Sequence, residues 1–549
     1  MLKFVFGRSG CGKSDYVFNQ IRKLAICGEN NILLLTPEQY SLVAERRLLN
    51  DLGEDKVNCV DNSSFSRISN DVRRKYGSDA LPTLSKGGKV ILMCKAIDNC
   101  KDNFQLFNKN LDSLSFVTSM INIYDEMKSC NLDSLQINEL SENIDNQVLY
   151  KKLADISLIM SAYELLIKDR FNDSSNELTR IYNQIFDKGY FKNKYVFIDG
   201  FNGFVAQEYK LLELIIAEAN CVTITLCTDS YNSDNNYDLF SYVNKSFQII
   251  KRIADKFDVE TQIVKLEENY RFKNDELKVI EKHFFDNSNE TLEANENVHI
   301  YASKNISDEC ENVSREIKQL LRKGYKASEI TVICRDLQKY LSELEYNFSK
   351  YEVPYFRDER QPVNTQSLVV MIEFMLRCIN FSFKSDDILS LAKTGLTDIP
   401  DEDINELENY IFLWNINGLK WTKPFENSTK GFVNELSEAD RNALDKINIT
   451  REKLIAPLVS LKKITKTKDS KKISEGIYNT LISYCADKKV KEYAVLLNKN
   501  GFYSLAQEQG RIWELVMEIL NQLATTLGEI DLKTYANMFS LIIFCEDLG

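Results

Sequence analysis

Histidine is nearly missing from this chain: only His283 and His299 are present, too few for a histidine-built metal centre or a Ser-His-Asp triad. The thirteen cysteines contain no C-x-x-C pair. They match neither a zinc site nor a small disulfide framework, and read as reduced thiols of a cytoplasmic protein. No stretch approaches the roughly twenty apolar residues of a membrane span. The opening apolar run FVF is cut short by Gly7 and Arg8, so a signal peptide is not expected either. Positive charge is also in deficit, with a formal net charge of −12. Bulk attraction to nucleic acid is thereby excluded, and any such partner must be met by local clusters of Lys and Arg.

What remains is a foldable composition, 44% hydrophobic and 27% charged over 549 residues, long enough for about three or four domains. The expected class is α/β. KFVF forms a short apolar run, GRSGCGKS follows, and Val17, Ile21, Leu24 and Ala25 recur at helical spacing before Gly28. NILLLTP then reads as a second strand, completing a βαβ unit with a right-handed crossover. From about residue 100 to 190 the pattern is helical and free of proline, with Phe116, Met120, Ile123 and Met127 on one face. Strand-like runs return at YVFI (195–198) and VTITL (222–226), apolar enough to be covered on both faces.

A second α/β segment begins near residue 297. VHIYA and ITVIC read as strands around a helix with Val313, Ile317, Leu320 and Leu321 on one face, with Asp308 and Glu311 as its capping box and Gly324 as its stop. Beyond about residue 366 the helical period resumes. The expected domains are therefore 1–100 with 191–290, a helical insertion at 101–190, part of a second α/β domain at 291–365, and a second helical insertion at 366–549. The closing IIFCEDLG carries no sign of a completed domain, and an amino-terminal fragment of a longer protein is expected.

Gly7-x-x-x-x-Gly12-Lys13-Ser14 between a strand and a helix meets the phosphate-loop pattern. Backbone N–H groups of Gly7, Arg8, Ser9, Gly10, Cys11 and Gly12 turn toward phosphate oxygens and Lys13 reaches the terminal phosphates. The Ser14 hydroxyl is suited to Mg²⁺. Hydrolysis needs more: a second carboxylate for the metal and a group that orients water. Asp199, ending the strand in YVFIDGFNGF, is the candidate for the first; its neighbour Gly200 offers no acid for the second. Glu208 is nearby in sequence. Holding ATP and Mg²⁺ is favoured over splitting ATP.

Nine segments in order resemble the B subunits of AddAB (RexAB) ATP-dependent helicase/deoxyribonucleases, relatives of UvrD-like superfamily-one helicases. They are FGRSGCGKS, LLLTPEQYSLVAERRLL, SFSR, VFIDGFNGF, ENYRF, ITVICRD, VPYFRDERQP, KTGL and LENY. The resemblance implies RecA-like P-loop domains with large helical insertions. In the full subunit it adds a nuclease domain with an iron-sulfur cluster beyond Gly549, so none of these cysteines is assigned to that cluster. It implies an AddA helicase-nuclease partner in a heterodimer, contact with single-stranded and duplex DNA during recombinational repair, inspection of the emerging strand for Chi, and no membrane. Residue by residue, Tyr270 and Arg271 resemble the pair that packs on adenine and contacts the γ-phosphate. Thr36 and Arg46 resemble a DNA-backbone motif, and Ser64, Phe65 and Arg67 fall in the segment whose aromatic stacks on a base. Phe65 equally suits a core position, and Arg46 a solvated helix face. Two other readings remain open: an active superfamily-one motor and a P-loop small-molecule kinase.

Overall fold

The computed structural model describes residues 1–77, 81–109, 111, 113–142, 144–229, 239–285, 291–292, 297–357, 361–432 and 437–548. It divides into two compact units. One comprises Met1–Asn70, Ile185–Phe204 and Glu208–Glu359; the other comprises Asp71–Gln184, Val205–Gln207 and Arg360–Gly549. Of the segment VPYFRDERQP, residues 358–360 lie outside the described residues.

The first unit is built on a parallel sheet of β1 (Leu2–Gly7), β2 (Ile32–Leu35), β3 (Val60–Ser63), β4 (Tyr195–Ile198), β5 (Cys221–Cys227) and β6 (Thr261–Lys265), in the order β3-β2-β4-β5-β1-β6. The central strands are apolar almost throughout, because helices cover both faces of a parallel sheet and leave no side of the pleat for water. Phe4 and Phe6 of β1 meet Phe247 of the helix Ser241–Lys256 edge-on, with ring centroids 4.8 and 5.2 Å apart. Val17, Phe18 and Ile21 of α1 (Lys13–Ile26) join Ile32, Leu34 and Phe197 in a second cluster. Gly28 follows α1 with φ +90°, a left-handed stop as its position predicts.

This order fixes the site. β5 lies between β1 and β4, with Gly7 level with Cys227 and Ile198 level with Ile224, so the phosphate loop and Asp199 leave the same edge of the sheet one strand apart. Ligands of open parallel sheets are bound at that carboxyl edge. Leu35 pairs with Ile198, which puts Thr36 beside Asp199 just past the strand ends.

The expected strands VHIYA and ITVIC do not form: neither run is in a ladder, and Ile300 and Ile333 stand 94% and 89% exposed. A strand is defined by its hydrogen-bonded neighbour, and apolar, β-prone residues alone do not supply one. The helix between them is present as Ile306–Arg322, and its residues Cys310 and Ile317 pack with Leu344, Phe348 and Val353. Its cap is not the predicted one. Asn305 is the N-cap, its side chain accepting the Asp308 amide at 2.9 Å, while Asp308 answers by accepting the Lys304 amide at 3.0 Å.

The second unit is helical, and its core departs from the two separate insertions read from sequence. Lys86–Cys100, Leu114–Ser129 and Gln147–Ile167 share one hydrophobic cluster with Ser367–Asn380, Tyr503–Thr526 and Leu532–Cys545. The contact is close. A Cβ at Gly87 would stand 2.5 Å from Oε1 of Gln522 and 2.8 Å from Cγ2 of Ile542. The first break between units accordingly falls after Asn70 and not near residue 100, because Lys86–Cys100 is buried nearly all round among helices.

Candidate nucleotide site

The turn between β1 and α1 depends on two glycines in the left-handed region, Gly10 at φ +87° and Gly12 at φ +78°. Gly12 is the N-cap of α1 and no side chain among the described residues caps it, so the first N–H groups of the helix face the loop without intrahelical partners. Lys13 curls back over the turn, its Nζ donating to the carbonyls of Gly7 at 2.7 Å and Arg8 at 2.8 Å. Ser14 is half-buried in the first turn of the helix. Cys11 is 4% exposed, and burial pushes its thiol pKa up. In this loop it acts as a small apolar residue and not as a nucleophile.

Arg8 ties the loop to its surroundings. Its Nε donates to Glu281 at 2.8 Å, Nη1 to Asp229 at 3.1 Å, and Nη2 to the Glu281 carbonyl at 2.7 Å. A cleft of about 400 Å³ flanks the loop here, bordered by Gly7, Cys11, Asn269 and Lys278.

The ENYRF segment lies directly on the loop. Asn269 Nδ2 donates to the Ser9 carbonyl at 2.9 Å, the Tyr270 amide donates to the Gly10 carbonyl at 3.0 Å, and Arg271 Nη1 donates to the Ser9 hydroxyl at 2.9 Å. Asn269 Oδ1 accepts the amides of Arg271 and Phe272, folding the segment into a tight side-chain-closed turn. The approach leaves no room for a side chain at Gly10, where a Cβ would come within 2.7 Å of Arg271 Cβ. Tyr270 is 70% exposed with its ring beside Gly12, and its hydroxyl donates to Glu268 at 2.6 Å. That hydrogen bond raises its pKa.

Asp199 is 2% exposed. Its amide donates to the Leu35 carbonyl at 3.0 Å and its Oδ1 accepts the Thr225 hydroxyl at 2.6 Å. Its Oδ2 is buried with no hydrogen-bond partner among the described residues. A buried carboxylate oxygen without a donor is costly, and a cation is the group that satisfies it. The residues present therefore fit a magnesium–nucleotide site. Gly200 follows at φ +83°, with a Cβ position 3.4 Å from Pro37. Glu208 is half-buried in the first turn of the helix Ala206–Glu218.

Sequence reasoning missed Thr225, Asn269 and the partners of Arg8. Thr225 had a weak signal, one of two buried threonines with Thr223 in a strand of mostly apolar residues; Asp229 and Glu281 had none, since their pairing depends on tertiary distance. Three residues matched to DNA contact are not at the surface. Thr36 is fully buried, Ser64 is 3% exposed, and Phe65 is 4% exposed with its ring edge-on to Phe201 at 5.4 Å and Phe204 at 6.0 Å. Stacking a base needs an open ring face, and Phe65 offers none here. Arg46 is exposed, and Arg67 is half-exposed with Nη1 3.3 Å from Glu45. Among the described residues, no three His, Cys, Asp or Glu side chains gather to hold a metal ion, and no helix is long and apolar enough to cross a membrane.

A family model described as ADDB, N-terminal, matches residues 4–281, and one for a UvrD-like helicase C-terminal domain matches residues 264–417. The B subunit of an ATP-dependent helicase/deoxyribonuclease from Clostridium novyi (strain NT) is 29% identical over 550 residues, covering 98% of this chain and 48% of its own length. Proteins of the same name from Clostridium botulinum (strain Loch Maree / Type A3) and Clostridium tetani (strain Massachusetts / E88) are 31% and 30% identical, covering 97% and 98% of this chain and 48% and 49% of their own lengths. The chain thus spans about half the length of the curated relatives it matches. Running from the first strand to Glu281, which Arg8 holds, the first match takes in the loop, Asp199 and the segment laid over the loop, and the chain belongs to the ADDB N-terminal family.

Proposed function

We propose that this chain is the nucleotide-holding, DNA-handling part of a helicase/deoxyribonuclease B subunit, working in the cytoplasm beside an AddA-type motor and nuclease in recombinational double-strand-break repair. The relatives' shared name supports the setting. The observation that carries the nucleotide reading is the Asp199 Oδ2, buried without a hydrogen-bond partner among the described residues, one strand from a glycine turn and Lys13. Residues Gly7 to Ser14 would hold the phosphates of ATP, Ser14 and Asp199 would hold Mg²⁺, Tyr270 would pack on the base, and Arg271 would exchange its Ser9 contact for the terminal phosphate. When bound, Mg²⁺ neutralises phosphate charge.

Holding is favoured over turnover by the residue after Asp199. The backbone at Gly200 is left-handed and lies against Pro37, a conformation that disfavours any side chain and so any carboxylate for orienting water. DNA contact by this unit falls to exposed cations such as Arg46 and Arg67, since Thr36, Ser64 and Phe65 are interior. Calorimetric titration with ATP, with and without Mg²⁺, paired with phosphate release in the presence and absence of single-stranded DNA, tests the reading. Saturable, magnesium-dependent binding with little DNA-stimulated release is expected. A large stimulated rate that disappears in Lys13→Ala would make the chain a motor, and failure to bind ATP would remove the nucleotide role.

A further inference from the structure

Residues 462–472 read KKITKTKDSKK, six lysines against one aspartate in a chain of net charge −12. They form the elbow between the helices Glu438–Thr465 and Ser470–Ser483 in the helical unit. Lys463, Lys466, Lys468, Lys471 and Lys472 are all exposed. Among the described residues no carboxylate lies within ion-pair distance of Lys463, Lys466, Lys468 or Lys471; Lys472 has only Asp469, at 3.9 Å.

Helix electrostatics accounts for part of this run, including Lys466 at the C-cap of the first helix, and opposes Lys471 and Lys472. Lys462 and Lys463 occupy the last turn of their helix, where a cation meets the negative end of the dipole. Lys471 and Lys472 occupy the first turn of the next helix, which holds no acidic residue, so they oppose the positive end while repelling their neighbours. The fold does not need them there. It does hold their frame still: the Ser470 amide donates to the Gly528 carbonyl at 2.9 Å, the Ile530 amide to the Lys468 carbonyl at 2.7 Å, and Asp469 Oδ1 accepts the Lys471 amide at 3.0 Å. Of the nearby carboxylates, Asp469 and Asp531 are engaged as caps, Asp531 accepting the Thr534 amide at 3.1 Å, while Glu529, bridged to Asp469 along the backbone, is exposed and makes no ion pair with these lysines among the described residues.

We propose that this elbow is a docking surface for the phosphate backbone of DNA, read without regard to sequence. Five exposed point charges on a pinned turn suit a polyanion. Lys466 and Lys471 are at most about 17 Å apart along the chain, the reach of a few phosphates on one strand. The proposal rests on the DNA-handling reading and adds a surface remote in sequence from the phosphate loop.

The test titrates the 549-residue chain against labelled single-stranded and duplex oligonucleotides over a range of salt concentrations. It compares wild type with Lys466→Ala/Lys471→Ala/Lys472→Ala and with a charge-matched control at the exposed Lys151, Lys152 and Lys168. The elbow variant should lose about tenfold or more in affinity at low salt, and its slope of log K against log salt should shrink by about 2–3. ATP binding and melting temperature should hold, and the control should keep its slope. Should the triple variant melt early, Lys471→Gln alone is expected to reduce the slope by about 1. Unchanged slopes in a wild type that binds DNA would overturn the elbow alone. A wild type that binds no DNA would overturn the DNA-handling reading with it. Capture of phosphatidylserine vesicles that depends on these lysines while DNA binding does not would assign the surface to a membrane and overturn the proposal.

Discussion

Thr225 donates its hydroxyl to Oδ1 of Asp199 at 2.6 Å, while Oδ2 of the same carboxylate stays buried without a hydrogen-bond partner among the described residues. One strand positions the carboxylate and its neighbour fixes which oxygen is left over. Asp199→Asn keeps the shape and removes the charge. It should weaken magnesium-dependent ATP binding by about tenfold or more while leaving magnesium-free binding intact, a split that titration with and without the metal measures. Thr225→Val should act on stability instead, costing about 1–3 kcal/mol in a denaturant titration because a buried acceptor loses its donor.

Two glycines with nearly the same φ separate strain from collision. Gly10 and Gly28 sit at φ +87° and +90°, but a Cβ at Gly10 meets Arg271 Cβ at 2.7 Å and Asn269 Oδ1 at 2.8 Å, whereas nothing among the described residues lies within 4 Å of one at Gly28. Gly28→Ala should cost only the left-handed penalty, about 1–2 kcal/mol. Gly10→Ala should cost more and should also weaken ATP binding, since it pushes the Asn269–Arg271 turn off the loop. Equal losses in chemical denaturation, with ATP binding untouched, would show that the turn does not brace the loop.

Supplying the missing acid should not make an enzyme of this site. Gly200→Glu must hold a side chain at φ +83° against Pro37, so it is expected to lose about 1–2 kcal/mol of stability and to gain no phosphate release, with or without single-stranded DNA. A robust gain in release would mean that only the carboxylate was wanting.

Acid stability has a local probe in the helical unit. Asp440 stands at the third position of the helix Glu438–Thr465. Lys430, 2.8 Å away, then Ser437, hold its carboxyl down to about 2. A depressed folded value stabilises the protein above the unfolded pKa of about 3.9 and ceases to do so as pH falls toward about 2. Asp440→Asn should therefore be less stable than wild type at neutral pH, and the gap between their melting curves should close between about pH 4 and pH 2. A gap that stays constant through that window would place the contribution in packing.

What was legible in the sequence is what is local. Gly7 to Ser14, the apolar strands at 32–35 and 195–198 and the stop at Gly28 are set by residues within one turn or ladder of each other, and all are found where their spacing places them. Asp199 was legible because a lone acid at the end of an apolar run is conspicuous. The shared core of the helical unit was not, since Gly87 and Ile542 meet across more of the chain than any periodicity spans. VHIYA and ITVIC failed for a related reason: propensity is a property of one segment, while a strand needs two.

Phe65 shows the same limit and gives a direct measurement. A motif match makes it a base-stacking platform, but its ring is 4% exposed and set edge-on against Phe201 and Phe204, themselves stacked 5.2 Å apart. Phe65→Ala should leave a cavity and destabilise the first unit by about 3–5 kcal/mol, whereas Phe65→Leu, which keeps most of the volume, should cost less than about 1.5 kcal/mol. If the ring is core, single-strand affinity of Phe65→Leu should match wild type in a fluorescence titration. If it turns outward to stack on a base, the same variant should lose about 1–3 kcal/mol of binding while its stability scarcely changes. The burial of the Phe65 ring against its two neighbours makes the first outcome the expected one.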